Sequence, residues 1–172
     1  MPIGKILLNW GPVSKVRRNH ALEHATLQIL VEKQKAGKLA GVSNMFGFWV
    51  FGEVDTEELV EAAQEARRRL QNGEHQLAIH PNCGTNFATA GIISGVFAWM
   101  AMLGMHKTWK DRLDRLATVI TLVTLGFIVA QPLGPKMQEW VTTEPNLGSL
   151  HLTEVQRFPE RNPPAHRVLT SL

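Results

Sequence analysis

Cysteine is almost absent from this chain of 172 residues, which contains Cys83 alone. A single cysteine excludes an internal disulfide framework as a source of stability. Gly37 and Gly41 are isolated, and neither precedes the Lys-Ser/Thr pair that a phosphate-binding loop needs. The chain also lacks a haem-attachment cysteine pair and a serine-centred nucleophile elbow. No motif therefore supports nucleotide-dependent, haem-dependent or serine-hydrolase chemistry.

A strong positive charge is missing as well. The formal net charge is +3, and the basic residues are spread along the chain. Their one tight run, Arg67 to Arg69, is typical of a helix end, where cations complement the helix dipole. We therefore expect no nucleic-acid partner.

Charged residues are absent from two long stretches, 87–105 and 116–133. Each is close to the roughly 20 apolar residues that span a bilayer core. They predict a transmembrane hairpin, and with it a multi-pass protein of the bacterial inner membrane whose partner is the lipid bilayer. Gly91 and Gly95 have the spacing that lets membrane helices approach closely, although glycine is also simply frequent in such helices.

Residues 1–86 are predicted to form a small soluble domain of order α-β-β-α-β. Apolar residues at helical spacing predict a first helix from Pro12 to about Ala36, closed by Gly37. The remaining elements are a hairpin of strands Leu39–Asn44 and Phe48–Val54, a helix capped by Asp55 and ended by Asn72-Gly73, and a strand Gln76–His80.

The whole chain is thus predicted as an α+β protein in three parts: the domain at 1–86, the hairpin at 87–133 and a tail at 134–172. The tail has two segments that could form strands, 149–158 and 166–172. A helical hairpin returns the chain to the side from which it entered. We therefore expect the tail to pack on the domain.

Two observations disagree about which side of the membrane the domain occupies. The loop between the apolar stretches carries Lys107, Lys110, Arg112 and Arg115, and the positive-inside rule places such a loop in the cytoplasm. That would put the domain outside. The first residues, however, hold too short an apolar run for a signal peptide, which favours a domain that stays inside. The side stays open.

The pattern most specific to a chemistry is His20-Ala-Leu-Glu-His24. Residues four apart share one face of a helix, so two imidazoles can point at a single metal ion. Glu23 borders the same face, where a carboxylate can accept a proton from a metal-activated water. We expect zinc at His20 and His24, with Glu23 as the general base. The alternative is a structural histidine pair beside a salt-bridging glutamate.

A catalytic zinc usually has three protein ligands and one open position. Candidates for the third ligand are His80 and Cys83, on a turn-rich segment before the first apolar stretch. Their alternative roles are a strand-end histidine and a small buried side chain. Glu74 is a weaker candidate. The other histidines are expected to lie elsewhere; they are His75, His106, His151 and His166.

Two resemblances involve these residues. The segments RRNHALEHATL and LAIHPNCGTN, the apolar hairpin and QPLGP together resemble a family of uncharacterised bacterial membrane proteins. HALEH resembles the motif of the inverzincin metallopeptidases, of the insulysin and pitrilysin type. That second resemblance implies zinc ligands at His20 and His24, a base at Glu23, and a substrate bound along the strand from Leu39. This chain departs from those enzymes at the third ligand. They take a glutamate from a later helix, whereas the later helix of this chain is the uncharged apolar stretch.

Two hypotheses about function follow. The first is a membrane-anchored zinc-dependent hydrolase, metallopeptidase-like, that acts on a peptide or protein substrate and uses a homo-oligomer or the membrane surface to enclose it. The second is a non-catalytic membrane scaffold, assembly factor or metal-dependent sensor. Coordination separates them: His20, His24, His80 and Cys83 together would close the zinc shell, whereas three ligands leave a position for water.

Overall fold

The computed structural model describes residues 7–34, 38–103 and 109–172, with only the backbone of residue 112. The chain forms two compact units, one of Met1–His80 with Glu139–Leu172 and one of Pro81–Gln138. Ala36 and Gly37, the predicted end of the first helix, lie outside the described residues, as do His106 and Lys107 of the basic loop.

Helix α2, Thr56–Gln71, follows local sequence signals closely. Asp55 is its N-cap, and the carboxylate accepts hydrogen bonds from the backbone N–H groups of Glu57 and Glu58. The helix ends at Asn72, as predicted. Its buried face is wholly apolar and consists of Leu59, Ala62, Ala63, Ala66 and Leu70.

Helix α1, Gly11–Glu32, begins with Pro12 in its first turn, where the missing N–H costs nothing. The helix ends earlier than predicted. Its buried residues include polar side chains beside the apolar ones, namely Arg17, Asn19, Glu23, His24 and Thr26. This helix therefore does more than fill the core.

Four antiparallel strands form one sheet in the order β1-β2-β4-β3. The strands are β1 Ala40–Asn44, β2 Gly47–Phe51, β3 His151–Phe158 and β4 Ala165–Ser171. Both C-terminal strands lie where the sequence predicts them, and β4 pairs with β2. Gly47 has a φ of +136°, and an added Cβ would lie 2.0 Å from the Val168 carbonyl oxygen, so this position requires glycine.

One face of the sheet and the two helices enclose the core, which makes the fold class α+β. The largest fully buried apolar side chains include Phe48 and Val50 of β2, Leu22 of α1 and Leu59 of α2. Because side chains alternate along a strand, Trp49 and Phe51 lie on the opposite face of the sheet.

The prediction of a third strand at Gln76–His80 is wrong: His75–Ala78 is a 3₁₀ turn. The carbonyl groups that a strand would offer to a sheet are bonded to side chains of α1 instead. The His24 ring bonds the Ala78 carbonyl at 2.7 Å, and the Gln28 amide bonds the Leu77 carbonyl at 2.8 Å. The sheet takes its third and fourth strands from the C-terminal segment.

The second unit consists of two helices, α3 at Gly84–Met102 and α4 at Trp109–Met137. They approach closely at Gly126, where an added Cβ would lie 2.8 Å from the Ser94 Cα, and at Gly134, where it would lie 2.6 Å from the Asn86 Oδ1. Gly91 and Gly95 are exposed, and an added Cβ at either position would meet nothing within 4 Å. The predicted glycine pair therefore does not form these helix contacts.

By length and composition, both helices could cross a membrane. In the most apolar stretch of each helix only 11% of the residues are buried, whereas the core helix of a soluble protein is mostly buried. The exposed apolar side chains include Ile92 and Trp99 of α3, and Ile120 and Ile128 of α4.

Candidate metal centre

The candidate centre starts from the histidine pair of α1. His20 and His24 lie one turn apart, and their ring centroids are 4.2 Å apart. A ring nitrogen of each lies within 4.8 Å of the other. His24 is 2% exposed. The helix thus presents two imidazoles toward one point, as the spacing predicts.

Backbone carbonyl groups orient both rings. The Nδ1 of His20 lies 2.9 Å from the Thr142 carbonyl oxygen, and the Nδ1 of His24 lies 2.7 Å from that of Ala78. A carbonyl only accepts, so Nδ1 carries the proton, and in the neutral ring the lone pair is on Nε2. Histidines that bind metals are typically held in this way, with one nitrogen donating to a carbonyl and the other facing the metal.

Side chains of α1 also hold the segments that supply these carbonyls. The Arg17 guanidinium donates to the carbonyls of Val141 and Thr143, at 2.8 Å each, on both sides of Thr142. Gln28 donates to the carbonyls on both sides of Ala78, at 2.8 and 3.1 Å. Each histidine therefore bonds a backbone segment whose position is fixed by a further α1 side chain.

His80 joins this pair. It follows the segment that Gln28 holds, and its ring centroid lies 5.5 Å from that of His24. The ring is half-buried. In the first unit the structure thus places the His80 ring beside the His24 ring, and the His24 ring beside the His20 ring.

Cys83 belongs to the second unit, where it is the N-cap residue of α3. It is buried, and its Sγ accepts from the Thr85 backbone N–H at 3.4 Å. The predicted ligand set is therefore divided between the two units.

Glu74, the weaker candidate, and two of the histidines expected to lie elsewhere have partners outside the histidine pair. The Glu74 carboxylate pairs with Arg69 at 2.8 Å. His151 lies on β3, and the buried His166 bonds the Thr56 hydroxyl at 3.0 Å. Burial lowers the pKa of His166, so this ring is neutral at physiological pH. His106 lies outside the described residues.

Glu23 is 3% exposed and lies against strand β1. Its carboxylate accepts a hydrogen bond from the Ser43 hydroxyl. A Cβ added to Gly41 would lie 2.1 Å from the Glu23 Oε1, so only glycine leaves room for the carboxylate. Gly41 and Ser43 alternate along the strand and thus share the face that meets α1.

The carbonyl partners and Arg17 were not found from the sequence. A backbone carbonyl carries no sequence signal, and Thr142 lies 122 positions from His20. Ser43 and Gly41 have a weak signal, because two small residues at strand spacing leave room on one face.

A cavity of about 370 Å³ lies beside the segments that hold the histidines. Its lining includes Ala78, Ile79, Thr143 and Pro145, and it is mostly apolar. Glu139 and His75 complete part of the wall. Its volume is enough for a large side chain or a small ligand.

The fold and this cluster define a class: an α+β protein that combines a histidine–glutamate helix with two long apolar helices. The chain belongs to the DUF6391 family, a domain of unknown function, which matches residues 15–155. It is similar to an uncharacterised protein of Picosynechococcus sp. (strain ATCC 27264 / PCC 7002 / PR-6), 36% identical over 168 residues, covering 89% of this chain and 78% of that protein. No solved structure matches the chain.

Membership of an uncharacterised family is thus confirmed. The resemblance of the HALEH segment to inverzincin metallopeptidases stays a prediction.

Proposed function

We propose that this protein is a membrane-anchored zinc-dependent hydrolase, most simply a peptidase that acts at the membrane surface. The observation that carries the proposal is the orientation of the histidine pair. His20 and His24 each donate Nδ1–H to a backbone carbonyl, so in both neutral rings Nε2 is the nitrogen whose lone pair a metal ion would bind. A buried carboxylate, Glu23, comes from the same helix.

The donor chemistry fits zinc, for which imidazole and thiolate are the usual ligands. His20 and His24 would supply two nitrogens, and His80 or Cys83 the third ligand. Cys83 is three residues beyond His80, so the extended backbone allows at most about 11 Å between their Cα atoms. Zinc at this place would supply Lewis acidity toward water and a substrate carbonyl.

Glu23 would act as the general base. Its carboxylate is held by Ser43 and confined by Gly41, so its position is fixed before a substrate arrives. It would accept the proton of the attacking water and return it to the leaving amine. A fixed base avoids reorganisation during the reaction.

The exposed edge of strand β1 favours a peptide as the substrate. It is an edge strand, because β2 is its one neighbour in the sheet of described residues. Its five residues, Ala40–Asn44, carry no charge and no proline, the devices that usually protect an edge. An extended peptide could add to this edge beside Glu23.

The membrane anchor would be the pair α3 and α4, which are apolar, long and mostly exposed. We infer a multi-pass protein of the bacterial inner membrane, with the lipid bilayer as its partner. The chain is small, so the membrane surface or a second copy would have to enclose the substrate.

A non-catalytic function is the second candidate, and burial favours it. Glu23 and His24 are 3% and 2% exposed, as in a closed structural site. If His80 and Cys83 both bind the zinc, the shell holds four ligands and no position is left for water. The protein would then be a metal-dependent sensor, an assembly factor or a scaffold.

The test is a Glu23→Gln variant of the detergent-purified full chain. Zinc content should be unchanged, while hydrolysis of a quenched fluorescent peptide library should fall by about a hundredfold or more, because the general base is lost. Glu61→Gln on the exposed face of α2 is the matched control. Full activity in the Glu23 variant would contradict the mechanism, and no hydrolysis by a zinc-loaded wild type would favour the closed site.

A further inference from the structure

The sheet face opposite the helices carries an aromatic and cationic cluster. Its members are Trp49, Phe158, Arg161 and Arg167. The Trp49 ring is stacked on Phe51 and lies 5.2 Å from the Phe158 ring. The guanidinium carbons of Arg161 and Arg167 lie 4.7 and 5.4 Å from the Trp49 ring centroid. Two cations therefore share one indole ring.

Arg167 is a buried cation that forms no ion pair with the carboxylates that the structure describes. It is 7% exposed, and its Nη2 donates to the Asn44 side-chain oxygen at 2.7 Å. Its Nη1 is buried and bonds no described atom. Burial lowers the pKa of the Arg167 guanidinium. A buried cation that no carboxylate pairs is costly, and an anion bound at Nη1 would offset that cost.

None of the described acidic side chains pairs with Arg167. Glu154 is on the same face, but its carboxylate accepts from the Gln156 amide at 2.8 Å. No ion pair joins Arg161 or Arg167 to a carboxylate among the residues that the structure describes. Arg161 itself is exposed, so its side chain can move to admit a ligand.

We propose that Arg161, Arg167 and Trp49 form a binding site for a phosphate group on the face of the sheet remote from the histidines. Two guanidinium groups balance the charge of a phosphomonoester, which is about −1.5 to −2 at neutral pH, whereas a carboxylate would balance one. Guanidinium groups donate paired N–H bonds to phosphate oxygens. The proposal is independent of the zinc site.

The phosphate could be free or belong to a lipid headgroup, and two titrations of the detergent-purified full chain distinguish these sources. The first uses inorganic phosphate, and the second uses micelles containing phosphatidic acid, with phosphatidylcholine micelles for comparison. Saturable heat in the first titration identifies a free phosphate. Saturable heat in the second alone identifies a headgroup. No saturable heat in either overturns the proposal.

Variants locate the site. Arg161→Gln should weaken binding about tenfold or more, since it removes a charged hydrogen bond from a surface side chain without disturbing the core. Arg68→Gln removes one charge from the exposed face of α2 and should leave binding unchanged. A His20→Ala, His24→Ala variant should also bind phosphate normally, which excludes phosphate held by zinc. Equal losses in the Arg161 and Arg68 variants would overturn the proposal.

Discussion

Helices α1 and α2 pack in the same core, yet they bury different chemistry. The buried face of α2 is wholly apolar, whereas α1 buries Arg17, Asn19, Glu23, His24 and Thr26. The apolar side chains of α1 would be enough to stabilise the domain in the way that those of α2 do. A buried polar side chain costs free energy unless it is hydrogen-bonded, so a helix selected for stability alone resembles α2.

The polar residues of α1 are bonded in an ordered way. Asn19 donates to the Asn44 carbonyl at 2.8 Å and accepts from the Thr170 hydroxyl at 2.7 Å, which ties the helix to the sheet. Arg17, His20 and His24 bond backbone carbonyls. One helix thus positions a candidate centre, and the other stabilises the domain. Substitutions on the two helices should therefore separate stability from metal binding and catalysis.

The largest effect on stability is expected from Leu59→Ala on α2. Leu59 is fully buried, so the free energy of unfolding should fall by about 2–5 kcal/mol through lost burial and a cavity. Zinc per folded chain should not change. Denaturant unfolding with zinc analysis of the folded fraction measures both quantities, and a folded variant without zinc would contradict the division between the helices.

The second effect concerns catalysis. Ser43→Ala removes the hydrogen bond to the buried Glu23 carboxylate, which is worth about 1.5–3 kcal/mol. Hydrolysis should fall about tenfold to a hundredfold, with zinc content retained. Ser171→Ala makes the same change on β4 and serves as the control. Wild-type rates in the Ser43 variant would show that this hydroxyl does not position the base.

The smallest effect is expected at the cap of α2. Hydrogen bonds from the N–H groups of Glu58 and Glu57 hold the pKa of Asp55 below its ordinary value. A lowered carboxyl pKa contributes stability that is present above the unfolded-state value of about 3.9 and is lost as the pH falls through the folded-state value. Asp55→Ala should therefore lower Tm slightly at neutral pH without changing zinc content.

The pH dependence of Tm tests whether Asp55 stabilises the fold through its ionised carboxylate. The difference in Tm between wild type and Asp55→Ala should begin to shrink as the pH falls below about 4, where the unfolded-state carboxyl takes up a proton, and should disappear once the folded-state carboxyl is protonated as well. Melting curves of both proteins from pH 3 to pH 7 give the comparison. A difference that grows in acid would refute the assigned cause.

The same contrast explains how much the sequence predicted. Helix α2 follows from adjacent signals: Asp55 caps it, Asn72 ends it, and its apolar spacing marks the buried face. The histidine pair was also predictable, because a four-residue spacing places both rings on one face. Its carbonyl partners lie 122 and 54 positions away, so only the fold brings them to the rings.

The errors have the same origin. Gln76–His80 has the composition of a short strand, but α1 side chains bond its carbonyls and β4 occupies the place beside β2. Gly91 and Gly95 have the right spacing for a helix contact, but the two helices approach at Gly126 with Ser94 and at Gly134 with Asn86. Both patterns are local, and long-range contacts decided the outcome.

The measurement that tests the central claim most directly is the zinc content of the detergent-purified chain, with and without His20→Ala, His24→Ala. The exposed-strand variant His151→Ala is the control. We predict about one zinc per chain in wild type and control, and its loss in the double variant, because α1 supplies two of the ligands. No bound zinc after supplementation, or equal zinc in the double variant, would contradict the account.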